Sequence, residues 1–353
     1  MKTIITVSGI RPDFIRMSSI FKKLDDSFNH ILIHTGQHFD KLLSDVFFEE
    51  LDIRKPDYNL EIGGSNKEHF HQTSELQVKL IELIRNENLN PDVIIFLGDS
   101  NSVLASTVLK KEGYKIAHIE AGMRSYDKRM LEEINRTICD HCSDYLFVYH
   151  DNYKEKAMKE NIPEENIFVV GNTIVEVIQN VVFEKEDKKN LILLDVHRPE
   201  NFKYKERLQN ILLYANTVAE KYNCEIEMLG FGRTLKEIES HNLDMGKIKK
   251  IDLLSFKNYL NKINSCKFII SDSGTAQEEP CLLNIPVIVP RDYTERPESV
   301  ENNCSFMINV NTENNDSWVK SFNWLDSEKE VNTDWLGDGT TSDKIIESLK
   351  KLL

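Results

Sequence analysis

The chain has 353 residues, enough for two domains with substantial cores, and 40% of them are hydrophobic. Its formal charge of −14 excludes sequence-independent binding of DNA or RNA, because nothing offsets phosphate repulsion across the surface; a local basic pocket for a small anion stays compatible with it. No apolar run approaches the ~20 residues of a membrane-spanning helix, and six scattered cysteines fit a reducing compartment better than a disulfide scaffold. Thr3–Val7 reads as a strand, without a signal-peptide layout, so a cytoplasmic protein with neither membrane nor nucleic-acid partners is expected.

In chain order, strands are predicted at Ile4–Ser8, Ile31–Thr35, Val93–Leu97, Ile116–Ile119, Tyr145–Val148 and Ile167–Val170. A second series follows at Leu191–Val196, Glu225–Leu229, Phe268–Ser271, Val287–Val289 and Met307–Val310. Between them, Glu68–Glu87, Tyr204–Lys221 and Ser255–Asn264 carry apolar residues at helical spacing. Short apolar strands alternating with helices of that length indicate α/β architecture, with parallel sheets covered on both faces. The pattern restarts near residue 190, after the charged stretch Glu184 to Asn190. Residues 1–180 are therefore assigned to one Rossmann-like domain and 181–340 to a second. Residues 341–353 form a last helix that crosses back onto the first, with Ser342 as its N-cap. Two doubly wound domains of this kind place a ligand at the C-terminal ends of their sheets, in a cleft between them.

Polar residues cluster after the strands. The first strand is followed by Gly9-Ile10-Arg11-Pro12-Asp13, with Arg11 and Arg16 placed to reach a phosphate at a helix start. The next ends carry Gln37-His38, Gly98-Asp99-Ser100 and His118-Ile119-Glu120-Ala121-Gly122-Met123-Arg124, then Glu132 to Arg136. In the second series, His197-Arg198-Pro199-Glu200-Asn201 occupies the same kind of position. Taken singly, Asp99 reads equally as a helix cap, Glu132 and Arg136 as a surface ion pair, and His197 as an exposed loop residue. The repetition at successive strand ends is what those readings leave unexplained.

Ile270–Glu279 adds a strand that breaks at Ser273-Gly274 and restarts as a helix, a layout that offers backbone N–H groups and a positive dipole end to a phosphate. A glutamate one turn into that helix suits ribose hydroxyls. The dense charged loop Arg291–Glu298 follows the next strand. Three carboxylates (Asp99, Glu120, Glu132) with His197 suit proton transfer, and the arginines suit a diphosphate as ligand or leaving group. The chain has no G-x-G-x-x-G fingerprint, P-loop or activated-serine elbow. Cys139-Asp140-His141-Cys142 lacks a second Cys/His pair at ligand spacing and reads as a helix face. No cofactor and no metal are expected.

Gly9–Met17, Thr35-Gly36-Gln37-His38, Gly98-Asp99, His118–Arg124, Glu132–Arg136, Gly171-Asn172-Thr173, His197–Asn201, Asp272–Glu279 and Arg291–Glu298 occur in one order and at fitting intervals. In this, nearly the whole chain resembles the non-hydrolysing UDP-N-acetylglucosamine 2-epimerases, which have the two-domain GT-B fold. The resemblance implies C2 epimerisation of a UDP-2-acetamido sugar. UDP is eliminated across C1–C2 to give a glycal, then re-added after protonation from the other face. By motif position it implies Asp99, Glu120, Glu132 and His197 as catalytic residues and Arg11, Ser273 and Gly274 on the diphosphate. Glu279 falls on the ribose-binding position. Arg16, Gln37, His38, Arg124, Arg136, Arg198, Thr275 and Arg296 complete the UDP-sugar contacts, Phe256 or Tyr259 meets uracil, and the expected assembly is a homodimer.

Three positions depart from the family pattern. Arg16 stands for a lysine, Leu131 for a proline, and Gly230-Phe231-Gly232-Arg233-Thr234 for a His-Pro motif. In the UDP-N-acetylglucosamine enzymes that histidine belongs to a second, activating nucleotide-sugar site. Tyr126-Asp127-Lys128-Arg129, Arg233-Thr234 and Ser273-Gly274-Thr275 are similar to the branch acting on UDP-2-acetamido-2,6-dideoxy-hexoses, which makes UDP-N-acetyl-L-fucosamine or UDP-N-acetyl-L-quinovosamine for surface polysaccharides. A UDP-N-acetylglucosamine 2-epimerase making UDP-N-acetylmannosamine is the alternative substrate reading. A GT-B glycosyltransferase would not need three carboxylates and His197 around the sugar. A hydrolysing epimerase does not fit Glu120-Ala121-Gly122 with Glu132-Glu133, and a nucleotide-sugar-binding protein without catalysis does not fit the intact set of carboxylates.

Overall fold

In a computed structural model of the chain, residues 1–36, 48–63, 68–183 and 188–353 are described. Gln37 and His38 lie outside them, as do residues 184–187. The chain divides into two compact units, Met1–Asn180 with Leu336–Leu353, and Val181–Trp335.

The first unit holds a seven-stranded parallel sheet with strands β1 (Thr3–Ser8), β2 (Asn29–His34), β3 (Tyr58–Asn59), β4 (Val93–Leu97), β5 (Ile116–Ala121), β6 (Tyr145–Val148) and β7 (Ile167–Val169). Their order is β3-β2-β1-β4-β5-β6-β7. Strand side chains alternate between faces, so Ile4, Ile95 and Ala117 enter one core cluster while Ile5, Val7, Ile94 and Phe96 enter the other. Helix Arg11–Ser27 covers the first face through Phe14, Met17, Ile20 and Leu24. Helix His69–Asn86 covers the second through Leu76, Leu80 and Ile84.

Helix Thr341–Leu352 adds Ile345, Ile346 and Leu349 to the first core, beside Arg11–Ser27. Ser342 is not its N-cap. Thr340 takes that place, and the Ser342 backbone N–H and hydroxyl donate to Glu176 at 3.2 and 2.6 Å, tying this helix to Thr173–Gln179.

The second unit repeats the design with six parallel strands, β8 (Leu191–Asp195), β9 (Glu225–Leu229), β10 (Ile248–Ile251), β11 (Phe268–Ser271), β12 (Val287–Val289) and β13 (Ser305–Met307), ordered β10-β9-β8-β11-β12-β13. The last strand ends earlier than expected. After the Ile308 N–H bonds the Val289 carbonyl at 2.9 Å, the asparagine-rich segment from Asn309 turns out of the ladder. Strands β3 and β10 lie at sheet edges and escape the sequence pattern. One is two residues long, and the other carries Lys249 and Lys250, which blunt an exposed edge.

Cys281 and Cys304 are disulfide-bonded. The fold brings these two buried residues, 23 apart in sequence, to a Cα separation of 5.2 Å. The other four cysteines are thiols. No helix of the described residues is long and apolar enough to cross a membrane.

In each sheet the winding direction reverses once, between β1 and β4 and between β8 and β11. Connections leaving adjacent strands in opposite directions open a crevice at the carboxyl ends of those strands, the usual ligand position in such sheets. Gly9 and Gly98 follow the strands at the first crevice, and Val196 and Asp272 follow those at the second.

Candidate functional site

At the first crevice the chain turns from β1 into helix Arg11–Ser27, with Arg11 and Pro12 in its first turn. Pro12 suits that position because its missing N–H would lack an intrahelical partner anyway. Asp13 folds back, and its Oδ2 accepts the Gly9 and Ile10 backbone N–H groups at 3.0 and 3.2 Å and faces the Ser100 hydroxyl at 3.5 Å. Burial pushes the Asp13 carboxyl up to about 7. The two N–H groups oppose that shift, and the neighbouring Asp99 and Glu120 add to it.

Asp99 and Glu120 end adjacent strands β4 and β5, and each meets an arginine. Arg136 pairs with Asp99 through Nη2 and with Glu133 through Nη1 at 3.2 Å. Arg16 Nη1 lies 3.3 Å from Glu120 Oε2 and donates to Asn172 Oδ1 at 3.1 Å. Glu120 Oε2 also accepts the Tyr149 hydroxyl at 3.2 Å, and that hydroxyl shares a second bond with Thr173 Oγ1 at 2.8 Å. Glu120 has φ 66°, a left-handed backbone that side chains with a Cβ rarely adopt. The Arg16 side chain is buried, and its guanidinium meets Glu120 and Asn172.

Of the two glutamates opening helix Leu131–Cys142, Glu133 is the buried one. Its carboxylate accepts the Ser125 and Tyr126 backbone N–H groups at 3.0 and 2.8 Å as well as Arg136. Glu132 is half-buried beside it. Arg136 thereby links Glu133 and Asp99 in a largely buried chain of charges. Arg124 faces the interior too, where it pairs with Asp140 at 2.7 Å and Glu160 at 2.6 Å.

At the second crevice His197 follows β8. Its Nδ1 lies 2.8 Å from Asp195 Oδ1, while Asp195 Oδ2 accepts the Ser271 hydroxyl at 2.9 Å. Asp272 holds the same turn by accepting the His197 and Arg198 backbone N–H groups at 3.0 and 3.1 Å and the Asn201 amide at 3.0 Å. With Nδ1 donating to Asp195, Nε2 is the nitrogen left to face a ligand. Burial would lower the His197 pKa, but Asp195 and then Asp272 outweigh it and the net shift is upward. Phe231, standing where the family pattern has a histidine, packs its ring 4.8 Å from that of His197. Asp195, His197 and Asp272 also bring ligand-type atoms within 4.8 Å of one another. Their oxygens are taken up by N–H and O–H donors, a donor set that fits a hydrogen-bonded turn rather than a cation.

After β11 the backbone does not restart as one helix. A 3-10 turn (Thr275–Gln277) is followed by a separate short helix, Glu279–Leu282. Pro280 has no N–H to continue a ladder, so the segment breaks before it. The dipole expected there is correspondingly small. What remains for an anion are backbone N–H groups and the hydroxyls of Ser273 and Thr275, 3.1 Å apart. Gly274 is crowded, since a Cβ there would press on Glu295 Oε1 and Arg296 Nη1 and one of those side chains would have to shift.

The charged loop turns inward. Arg296 bonds Glu278 and Glu295, both at 2.6 Å, and Arg291 bonds Glu295 at 3.0 Å. Arg198 lies 4.0 Å from the same Glu295. Arg296 Nη1 also lies beside Gly274. Glu279 is buried at the head of its short helix. Phe256 is buried as well, whereas Tyr259 is half-buried against the core cluster that includes Ile263 and Ile269.

Sequence reasoning passed over Asp13, Glu133, Asp140, Asp195 and Glu295. For two of them a signal existed, because Glu133, Arg136 and Asp140 recur at i, i+3 and i+7 on the buried face of one helix.

The profile of the UDP-N-acetylglucosamine 2-epimerase family matches residues 22–350. The UDP-N-acetylglucosamine 2-epimerase of Methanococcus maripaludis is 36% identical over 97% of this chain and 96% of its own. The UDP-2,3-diacetamido-2,3-dideoxy-D-glucuronate 2-epimerase of Pseudomonas aeruginosa is 31% identical over 99% of both. The crystal structure of the Methanocaldococcus jannaschii UDP-GlcNAc 2-epimerase, in complex with UDP-GlcNAc and UDP, superposes with a TM-score of 0.89 at 35% identity, covering 99% of this chain and 100% of that one.

Proposed function

This chain belongs to the UDP-N-acetylglucosamine 2-epimerase family, and from that premise we propose that it interconverts C2 epimers of a UDP-2-acetamido-2,6-dideoxy-L-hexose, without net hydrolysis, for a surface polysaccharide. The observation that carries the chemistry is the pair Asp99 and Glu120, two carboxylates on adjacent strand ends, each held by its own arginine. The C2 hydrogen is not acidic enough for simple removal, so departure of UDP from C1 has to assist it. One carboxylate takes the C2 proton as the C1–O bond breaks; another donates a proton to the opposite face of the glycal carbon before UDP returns. Asp99, Glu120 and Glu132 are assigned to these proton transfers.

Arg11, the turn at Ser273, Gly274 and Thr275, and the Nε2 face of His197 are assigned to the diphosphate, whose charge grows as it leaves. Glu279 is assigned to the ribose. Arg16, Arg136 and Arg296 act through the carboxylates they hold.

The sugar is read from Tyr126–Arg129, Arg233-Thr234 and Ser273-Gly274-Thr275. The competing substrate is UDP-N-acetylglucosamine, favoured by the names of the archaeal relatives. Incubation with UDP-N-acetylglucosamine and with 6-deoxy UDP-2-acetamido-L-sugars, read by NMR for the C2 epimer, decides between them. Turnover of the 6-deoxy sugars supports the proposal, and turnover of UDP-N-acetylglucosamine alone assigns the alternative. Build-up of UDP with free sugar makes the enzyme hydrolytic, and no turnover of any of them removes the epimerase reading.

A further inference from the structure

One carboxylate with no part in the proposed chemistry grips the chain on both sides of Glu120. Asp140 lies on helix Leu131–Cys142 with a fully buried side chain. Its Oδ1 is 2.6 Å from His118 Nδ1, and its Oδ2 accepts the Gly122 backbone N–H at 3.0 Å and Arg124 Nη1 at 2.7 Å. His118 and Gly122 stand two residues before and two residues after Glu120. Between them the chain takes the left-handed φ of Glu120, and β5 slips register against β6 between Ile119 and Ala121. A backbone of this kind is strained and persists only where its surroundings fix it.

The other ring nitrogen of His118 reaches a second strand. Nε2 lies 2.7 Å from the carbonyl oxygen of Gly98, the residue that precedes Asp99. A carbonyl only accepts, so Nε2 carries a hydrogen. Asp140, with Arg124 and the Gly122 N–H already donating to it, is ionised and takes a hydrogen from Nδ1. His118 is therefore a buried imidazolium. Burial alone would discharge it, but Cys139 and Asp140 beside it overcome that, and its pKa is raised well above the ordinary histidine value. Asp140 is shifted down: burial works against its charge, and His118 and Arg124 override it.

We propose that the His118–Asp140 pair is the positioning device of the candidate site, fixing in one geometry the turn that carries Asp99 and the strained backbone that carries Glu120. Buried ion pairs contribute little net stability compared with apolar packing, and a role in holding one conformation is the better reason for having one here. The proposal rests on the epimerase reading above. Glu160 forms the outer end of the same chain of charges, paired with Arg124 and facing His141.

The test uses the full-length protein and the UDP-sugar that the wild type turns over. Asp140→Asn keeps the side-chain shape and removes the charge. Turnover at saturating substrate is expected to fall ~100-fold, the scale of a 1 Å misplacement of reacting groups, with KM and the calorimetric Kd for UDP within threefold. Glu160→Gln, at the outer end, is expected to keep turnover within twofold. A merely structural pair predicts lower melting temperatures in both variants with turnover per folded molecule unchanged, and that result overturns the proposal. If Asp140→Asn does not fold, His118→Gln, which keeps a donor for Gly98, is read the same way.

Nitrogen-15 NMR of the histidine-labelled wild type needs neither variant nor substrate. Both His118 nitrogens are expected to be protonated at pH values above the ordinary histidine pKa. A neutral imidazole overturns the proposal even if the epimerase reading stands. Absence of wild-type turnover removes that reading without touching the NMR result.

Discussion

The two sheets share one winding order, yet the chemistry at their reversal points differs. The first unit gathers carboxylates there, with Asp13, Asp99 and Glu120 held by Arg16, Arg136 and backbone N–H groups. The second presents a histidine and hydroxyls, with its carboxylates Asp195 and Asp272 turned underneath as supports. The scaffold sets where side chains emerge, and the residue types at each strand end decide whether that place handles protons or receives an anion.

The largest effect expected from breaking this contrast is in the first unit. Asp99→Asn removes a proton carrier while keeping shape, and the epimerisation rate should fall by ~10²–10⁴-fold, with UDP affinity within tenfold by calorimetry. A large loss of UDP affinity instead would move Asp99 to the ligand-holding side. Next comes the second unit. The raised pKa of His197 means that its protonated form, and the stability this contributes, is present at low pH and lost as pH rises through the folded value. Asp195→Asn should move that loss, and the alkaline fall of kcat/KM, to lower pH. An unshifted profile would show that His197 does not act as a cation.

Gly274→Ala tests the crowding beneath the anion turn. The added methyl must displace Glu295 or Arg296, and overpacking of ~1–3 kcal/mol predicts a loss of UDP affinity of roughly 5- to 150-fold. Unchanged binding would place the diphosphate elsewhere. Asp13→Asn is read in stability rather than in binding. With its carboxyl raised from 3.8 to about 7, the folded state holds a proton that the unfolded chain lacks between those values, so this group lowers stability as pH rises through that window. The variant should flatten that part of the melting-temperature profile. Arg129→Ala, which breaks an exposed pair with Asp127, should change stability by less than ~0.5 kcal/mol.

What the sequence made legible follows from how each feature is encoded. Runs such as Val93–Leu97 and Phe268–Ser271 are buried on both faces, and a continuous apolar stretch announces that directly. Strand β10, half of it lysine, does not. The strand ends could be found because Gly98-Asp99 and Val196-His197 interrupt apolar runs. Which of their polar residues face inward could not be, since that depends on partners far along the chain: Arg16 on Asn172, Asp272 on Asn201, and Glu295 on Arg291 and Arg296. Arg124 and Arg296 resemble anion ligands by type and spacing, and only the fold shows each committed to buried carboxylates. The helix after Ser273-Gly274 was a local misreading, as was Ser342 as an N-cap, and Pro280 was the visible warning of the first.

The central claim, reversible loss of the C2 proton with UDP as leaving group, is tested most directly by incubating the wild type with its UDP-sugar in deuterated water. The account predicts one deuterium at C2 in recovered UDP-sugar of both epimers, and none with Asp99→Asn over the same period. Epimers that keep the original hydrogen at C2 after many turnovers would contradict it.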